Sequence, residues 1–338
     1  MNKLDLKLFE HLMNIPSPTG YTKNAINFID EYCHNLGYKT ERNKKGNLII
    51  HVNGNDNYNI GLSAHVDTLG LMVRSIRSDG HLNFTTLGGP QLPTYDGEYV
   101  TIHTRNNLTY TGTVLSTSPS SHVYPDATTK QRNADNMYIR LDELVISSSD
   151  TKKLGIQNGD IVSIDPKFQI SSSGYVKTRF LDDKASAFIL LELLKELHEK
   201  KITPAHNLII IFSTYEEVGH GASNIPEVDE LLAVDMGCIG SDLSCTEEMV
   251  SICAKDSSGP YDYDMVTKLS KLAEQEKLNY AIDIYPFYGS DASAALRAGN
   301  DIKCALIGAG IQASHGMERT HIHGIENTLK LLLAYIKE

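Results

Sequence analysis

Several acidic and imidazole side chains stand where chemistry could be done. His65-Val66-Asp67 follows directly on the apolar run Asn59–Ala64, and Glu216-Glu217 comes just after the apolar run that starts at Asn207. Asp235 ends the uncharged stretch Leu231–Val234, and Asp182-Asp183 stand before a long run rich in Leu and Ile. Near the C-terminus, Ser314-His315-Gly316-Met317-Glu318-Arg319-Thr320-His321-Ile322-His323 holds three of the thirteen histidines. Oxygen and imidazole donors without thiolates suit zinc, cobalt or manganese. One carboxylate bridge with two terminal ligands per ion describes a two-metal hydrolytic site, its ions roughly 3.5–4 Å apart.

Each piece alone is weak. An isolated H-x-D is more often a histidine hydrogen-bonded to a neighbouring acid than a metal ligand. The functional alternative makes His65 a ligand with Asp67 behind it, orienting the ring. Paired acids before an apolar run usually start a helix; here Asp182 could instead bridge two ions while Asp183 caps the helix. Glu216-Glu217 could be a solvated turn. Fastened to a buried strand and followed by Gly219 and Gly221, it could equally aim one carboxylate at a metal and the other at water, since neighbouring residues of an extended chain point to opposite sides. Asp235 could be a turn cap and the histidine-rich stretch a polar surface loop. Three of these groups fall just beyond apolar strands, where open α/β sheets bind their ligands, and that shared placement outweighs the separate bland explanations.

The elements needed to position them are legible as texture. Thr22–Leu36 shows Ile26, Ile29, Cys33 and Leu36 at near-helical spacing after the turn signal Ser17-Pro18-Thr19-Gly20. Leu48–Ile50, Asn59–Ala64, Asn207–Phe212, Leu231–Val234 and Lys303–Ile307 read as buried strands, and Ala185–Lys200, Asp264–Lys277 and Ile325–Lys337 as helices. Strands apolar on both faces, alternating with helices, predict an α/β fold: a mixed sheet covered by helices on both faces. Between about 70 and 168 the texture changes to short alternating strands broken by Gly, Pro and Asn, which predicts a smaller all-β, barrel-like insert. The expected organisation is a discontinuous catalytic domain, 1–70 and 169–338, interrupted by an inserted domain, 71–168.

Composition narrows the class. The 338 residues are 41% hydrophobic and 22% charged, ordinary for a globular enzyme, and exceed the usual span of one core. A net charge of −11 without basic runs argues against nucleic-acid binding. No apolar run is long enough for a membrane span, and the first residues lack the pattern of a signal peptide. Five cysteines with no C-x-x-C pair suggest reduced thiols and a cytoplasmic location.

Taken together, the residues match a known family. Ala64-His65-Val66-Asp67 with Gly70-Leu71-Met72-Val73, Arg179-Phe180-Leu181-Asp182-Asp183-Lys184, Glu216-Glu217-Val218-Gly219, Val234-Asp235 and Glu318-Arg319-Thr320-His321 resemble, in order and spacing, the motifs of the M42 metallo-aminopeptidases. Asp135–Arg140 and Leu154–Asp160 resemble the inserted domain of that family. The resemblance implies two divalent ions per subunit. His65 and Asp235 would hold one, Glu217 and a C-terminal histidine the other, with Asp182 bridging and Glu216 as general base; Asp67 is counted with Glu216 among the catalytic residues. It also implies peptide substrates and a homo-oligomer, commonly of twelve subunits, assembled partly through the insert. Some members carry a cellulase label, but glycoside hydrolysis needs two carboxyls and no metal. Departures occur at Val66, at His220-Gly221-Ala222, and at Arg319-Thr320-His321-Ile322-His323-Gly324, where many relatives have R-Y-I-H-S-P. Periodicity does not choose between His321 and His323, which are two residues apart; the form Glu-Arg-Thr-His resembles the end motif of one branch and favours His321 as the last ligand.

The reaction expected on this basis is hydrolysis of an N-terminal peptide bond by a metal-activated water, with Glu216 moving the proton. Two other readings use the same residues: an amidohydrolase acting on N-acyl amino acids, and a non-catalytic scaffold, which the retention of both Glu216 and Glu217 disfavours.

Overall fold

A computed structural model describes residues 3–338. The chain divides into two compact units: residues up to Asp67 together with Lys167–Glu338, and Thr68–Pro166.

The larger unit is built on a ten-stranded mixed sheet. Its centre is four parallel strands in the order Asn207–Ser213, Asn59–His65, Glu230–Val234 and Lys303–Ile311. Leu48–Val52 runs antiparallel beside Asn207–Ser213, and Val250–Asp256 runs antiparallel beside Lys303–Ile311. The four central strands are buried almost throughout, as their unbroken apolar sequence requires. Being parallel, they end on the same edge of the sheet. His65, the Thr214–Glu217 turn, Asp235 and the loop after Ile311 are therefore delivered to one place.

One face of the sheet, including Ile209, Ile211, Leu231, Ala233 and Leu306, packs on Ala292 and Ala295 of the short helix Asp291–Arg297. The long helix Leu181–Lys200 lies against Asn59–His65, with Leu6–Asn14 and Ile322–Tyr335 packed on it in turn. It is buried on every side from Leu181 to Leu194, so its apolar residues form no single stripe. Phe188 stacks on Phe9 with ring centroids 4.5 Å apart. The helix does not begin as the paired acids suggest. Phe180 takes a left-handed conformation (φ 68°), Asp182 and Asp183 are non-helical, and the peptide between these two is cis. The Asp183 carboxylate accepts the backbone N–H of His65 at 3.1 Å, so it ties the helix start to the end of a strand.

The smaller unit is a closed barrel of six antiparallel strands in the order Gly70–Ile76, Leu82–Leu87, Met137–Leu141, Thr109–Ser116, Tyr99–His103 and Ile161–Ile164. Leu71, Val73, Leu82, Phe84, Val100, Ile102, Val114, Ile139 and Val162 are buried, and the alternation of strand residues explains why. Its one α-helix is Ser148–Lys153, capped by the Ser147 hydroxyl.

Candidate metal centre and catalytic residues

His65 is the last residue of its strand and is 1% exposed. Its Nδ1 donates to the Asp67 carbonyl at 2.9 Å, which leaves Nε2 facing Asp182 Oδ1 at 3.1 Å and Glu216 Oε2 at 3.6 Å. The ring is thus oriented by the backbone of Asp67 more than by its carboxylate, whose Oδ1 is 3.6 Å away. That carboxylate holds the glutamate turn instead. Oδ1 accepts the N–H of Glu216 at 3.1 Å, and Oδ2 accepts the N–H of Glu217 at 3.3 Å and the Thr19 hydroxyl at 2.6 Å. Asp291 braces the same turn from the other side, taking Ser213 Oγ at 2.6 Å and the Ala222 N–H at 2.9 Å. The turn closes on Gly219 at φ 82°, a conformation that costs glycine nothing. Next to it, Asp235 leaves its strand so close to Gly308 that a Cβ there would lie 1.4 Å from the Asp235 carbonyl oxygen. Glycine is the residue that lets those strands pair.

Two sets of ligand-bearing groups result, each with its donor atoms within 4.8 Å of one another: His65, Asp182 and Asp235, and Asp182, Glu217 and His315. Asp182 is common to both. Its Oδ2 lies 3.5 Å from His315 Nε2, which is itself 3.7 Å from Glu217 Oε2. Glu216 is in neither set.

The sequence expectation for the last ligand is not met by this geometry. His321 is not gathered with Asp182 and Glu217; His315 is. His321 caps the helix Ile322–Tyr335: Nδ1 accepts the His323 N–H at 3.0 Å, so the proton is on Nε2, which donates to the Ser173 carbonyl at 2.8 Å. Both ring nitrogens are engaged. His321, His323 and Glu248 lie near one another, yet a metal there would displace the cap, and His323 already pairs with Glu248 at 3.1 Å.

The electrostatics of the cluster bear on whether metal ions fit. Burial raises the Glu217 pKa well above its ordinary value, and the nearby Asp182 charge adds to this. Burial likewise raises Glu216 well above its ordinary value, with Asp235 adding to it, and takes Asp235 up to about 7, with Asp182 adding. Burial would also raise Asp182, but the His315 and His65 imidazoles beside it hold it below the usual carboxylate range. Burial opposes a charged His65; Asp182, Asp67, Glu216 and Asp235 outweigh it and raise its pKa. Four carboxylates crowded out of water disfavour full ionisation unless cations lie among them. Glu217 Oε1, moreover, is buried without a hydrogen-bond partner. An oxygen and imidazole donor set with an unpartnered carboxylate oxygen fits divalent metal ions.

Comparison with known proteins gives the family and the fold. The model of the M42 glutamyl aminopeptidase family matches residues 46–331. The chain belongs to that family. It is 48% identical over 335 residues to the Bacillus subtilis protein named "Putative aminopeptidase YhfE", covering 98% of this chain and 97% of that one. Among solved structures, a TET aminopeptidase from a marine-sediment thaumarchaeote superposes with a TM-score of 0.89 at 20% identity, over 98% of this chain and 96% of that one. The TET1 peptidase of Pyrococcus horikoshii, described as assembling into a tetrahedron or an octahedral shell, superposes with a TM-score of 0.87 at 24% identity, over 98% and 99% of the two chains. As an M42 member this chain is an aminopeptidase-class hydrolase, with the fold of those relatives. Among the described residues, no helix is long and apolar enough to cross a membrane.

Sequence reasoning passed over three contributors. His315 was visible as one of three histidines but carried no strand-end signal. Glu318 stands out in the sequence only as part of the Glu-Arg-Thr-His motif. Asp291, at the start of a seven-residue helix, left no periodic trace.

Proposed function

We propose that this M42 protein is a two-metal aminopeptidase that removes N-terminal residues from peptides, with Glu216 as general base. The observation that carries the reading is Asp182, a single buried carboxylate shared by two ligand sets, with Glu216 beside them and outside both. His65, Asp182 and Asp235 would hold one ion, and Asp182, Glu217 and His315 the other. Bound there, two divalent ions supply Lewis acidity toward the scissile carbonyl and a lowered pKa for water. Glu216 is held by Asp67 through its backbone N–H, so its carboxylate is aimed, takes the proton of the attacking water and returns it to the leaving amine. Asp67 acts through the turn it grips, not on the substrate. Assembly as a homo-oligomer extends to this chain what the descriptions of solved relatives say of theirs, a dodecamer and a tetrahedral or octahedral shell.

The reading is tested with aminoacyl and N-acyl aminoacyl reporter substrates, assayed with zinc, cobalt and manganese. Turnover of free-amine substrates alone is expected. Preference for the N-acyl compounds would identify an amidohydrolase, and no turnover with any metal would leave a scaffold.

A further inference from the structure

Glu318 has no place in the proposed chemistry, yet it is 2% exposed and sits among the carboxylates. It begins the strand Glu318–His321, which pairs antiparallel with Tyr175–Thr178, Glu318 lying opposite Thr178. From that strand pair two segments depart. One runs on from Thr178 to Asp182; the other comes in through His315, three residues before Glu318. The carboxylate reaches both. Oε2 accepts the backbone N–H of Asp182 at 3.1 Å, and Oε1 accepts the backbone N–H of His315 at 3.0 Å. His315 is in the left-handed region, φ 65°, which a non-glycine residue adopts only when its surroundings hold it there. Arg179 adds a second hold on the same loop, donating from Nη1 to the Gly316 carbonyl at 3.0 Å.

We propose that Glu318 is a positioning residue that sets the spacing between Asp182 and His315 and thereby the affinity of the ion position these two share with Glu217. The proposal rests on the two-metal reading. Its chemistry is specific to a carboxylate: each oxygen must accept, and each faces an N–H. A glutamine has the same size and one acceptor oxygen, so its NH₂ would confront one of the two N–H groups. An aspartate keeps both acceptors and loses one methylene of reach.

The test is metal binding, read separately from turnover. Full-length protein stripped of metal is titrated with cobalt(II) against a chromophoric chelator, and the visible spectrum of the bound ion is recorded. Wild type is expected to take up two ions; uptake of fewer would count against the two-metal reading itself, whatever the variants do. With E318Q, the affinity at the His315 position is expected to fall about 10–100-fold, as for other groups that orient a ligand without touching the metal. The ion at His65 and Asp235 should be retained with less change, and the spectrum of the second ion should alter. E318D should fall between the two proteins and covers the case in which E318Q does not fold. In H315A, where the ligand is already gone, adding E318Q should cost the second ion little more. Wild-type affinities and spectra in both E318Q and E318D, or equal losses at both positions, would overturn the proposal.

Discussion

Replacing His315 and His321 one at a time by alanine should separate two kinds of damage. His315 Nε2 lies 3.5 Å from Asp182 Oδ2 and 3.7 Å from Glu217 Oε2, so H315A removes one of three protein groups from an ion position. Loss of a group that merely orients a ligand costs about 10–100-fold in affinity. Loss of the ligand itself should exceed that range, above about 2.8 kcal/mol at 1.4 kcal/mol per tenfold. Being 35% exposed and uninvolved in a helix cap, the His315 side chain should cost the metal-free fold little. His321 reverses the pattern. Its alanine variant loses the cap on Ile322–Tyr335, about 0.5–2 kcal/mol, and the hydrogen bond to Ser173, about 0.5–1.5 kcal/mol. At about 2–4 °C per kcal/mol for a domain of this order of size, the melting temperature of the metal-free protein should drop by several degrees, with both ions still bound. Bound metal measured after gel filtration, together with thermal unfolding in chelator, reads both effects. If H321A empties an ion position while H315A leaves both filled, the assignment is wrong and the loop must place the other histidine at the site.

Other expectations concern the base, the ions and the thiols. E216Q should keep both ions and lose about 10²–10⁴-fold in kcat; loss of an ion with turnover preserved would make Glu216 a ligand instead. Metal should stabilise the fold by mass action, by about 2.7 kcal/mol at a hundred times its dissociation constant, so unfolding midpoints in chelator and in excess metal should differ; coincident midpoints would argue that the buried carboxylates hold nothing. Burial pushes the thiols of Cys33, Cys245, Cys253 and Cys304 up to about 12 and also raises Cys238. A thiol reagent at pH 8 should therefore find almost no thiolate until the protein is unfolded, when all five cysteines should react.

The parts of the site that could be read in the sequence are those attached to the sheet centre. His65 ends a strand that is apolar on both faces, Glu216, Glu217 and Asp235 follow such strands, and parallel strands bring their ends to one edge without further instruction. The edges of the sheet were harder. Val250–Asp256 carries Lys255 and Asp256, and Tyr280–Ile284 alternates buried and exposed residues; neither offers the apolar run that marks a central strand. The placement of His315 beside Asp182 and Glu217 is hidden from the sequence for a different reason. Which histidine of the stretch 314–323 reaches Asp182 depends on the pairing of Glu318–His321 with Tyr175–Thr178 and on left-handed turns at Ala313 and His315. These are long-range and local backbone choices that periodicity does not encode. Asp67 was legible as a partner of His65, but its grip on the Glu216 and Glu217 amides exists only once two strand ends meet.

The central claim, that two ions share Asp182 and drive hydrolysis together, is tested most directly by one titration. Metal-stripped protein receives increasing zinc, cobalt or manganese while bound ions and release of a free N-terminal residue are measured in the same samples. The account predicts that turnover is absent without metal and reaches its maximum as the second ion binds. Full turnover in metal-free protein, or a maximum reached at one ion and unchanged by a second, would contradict it.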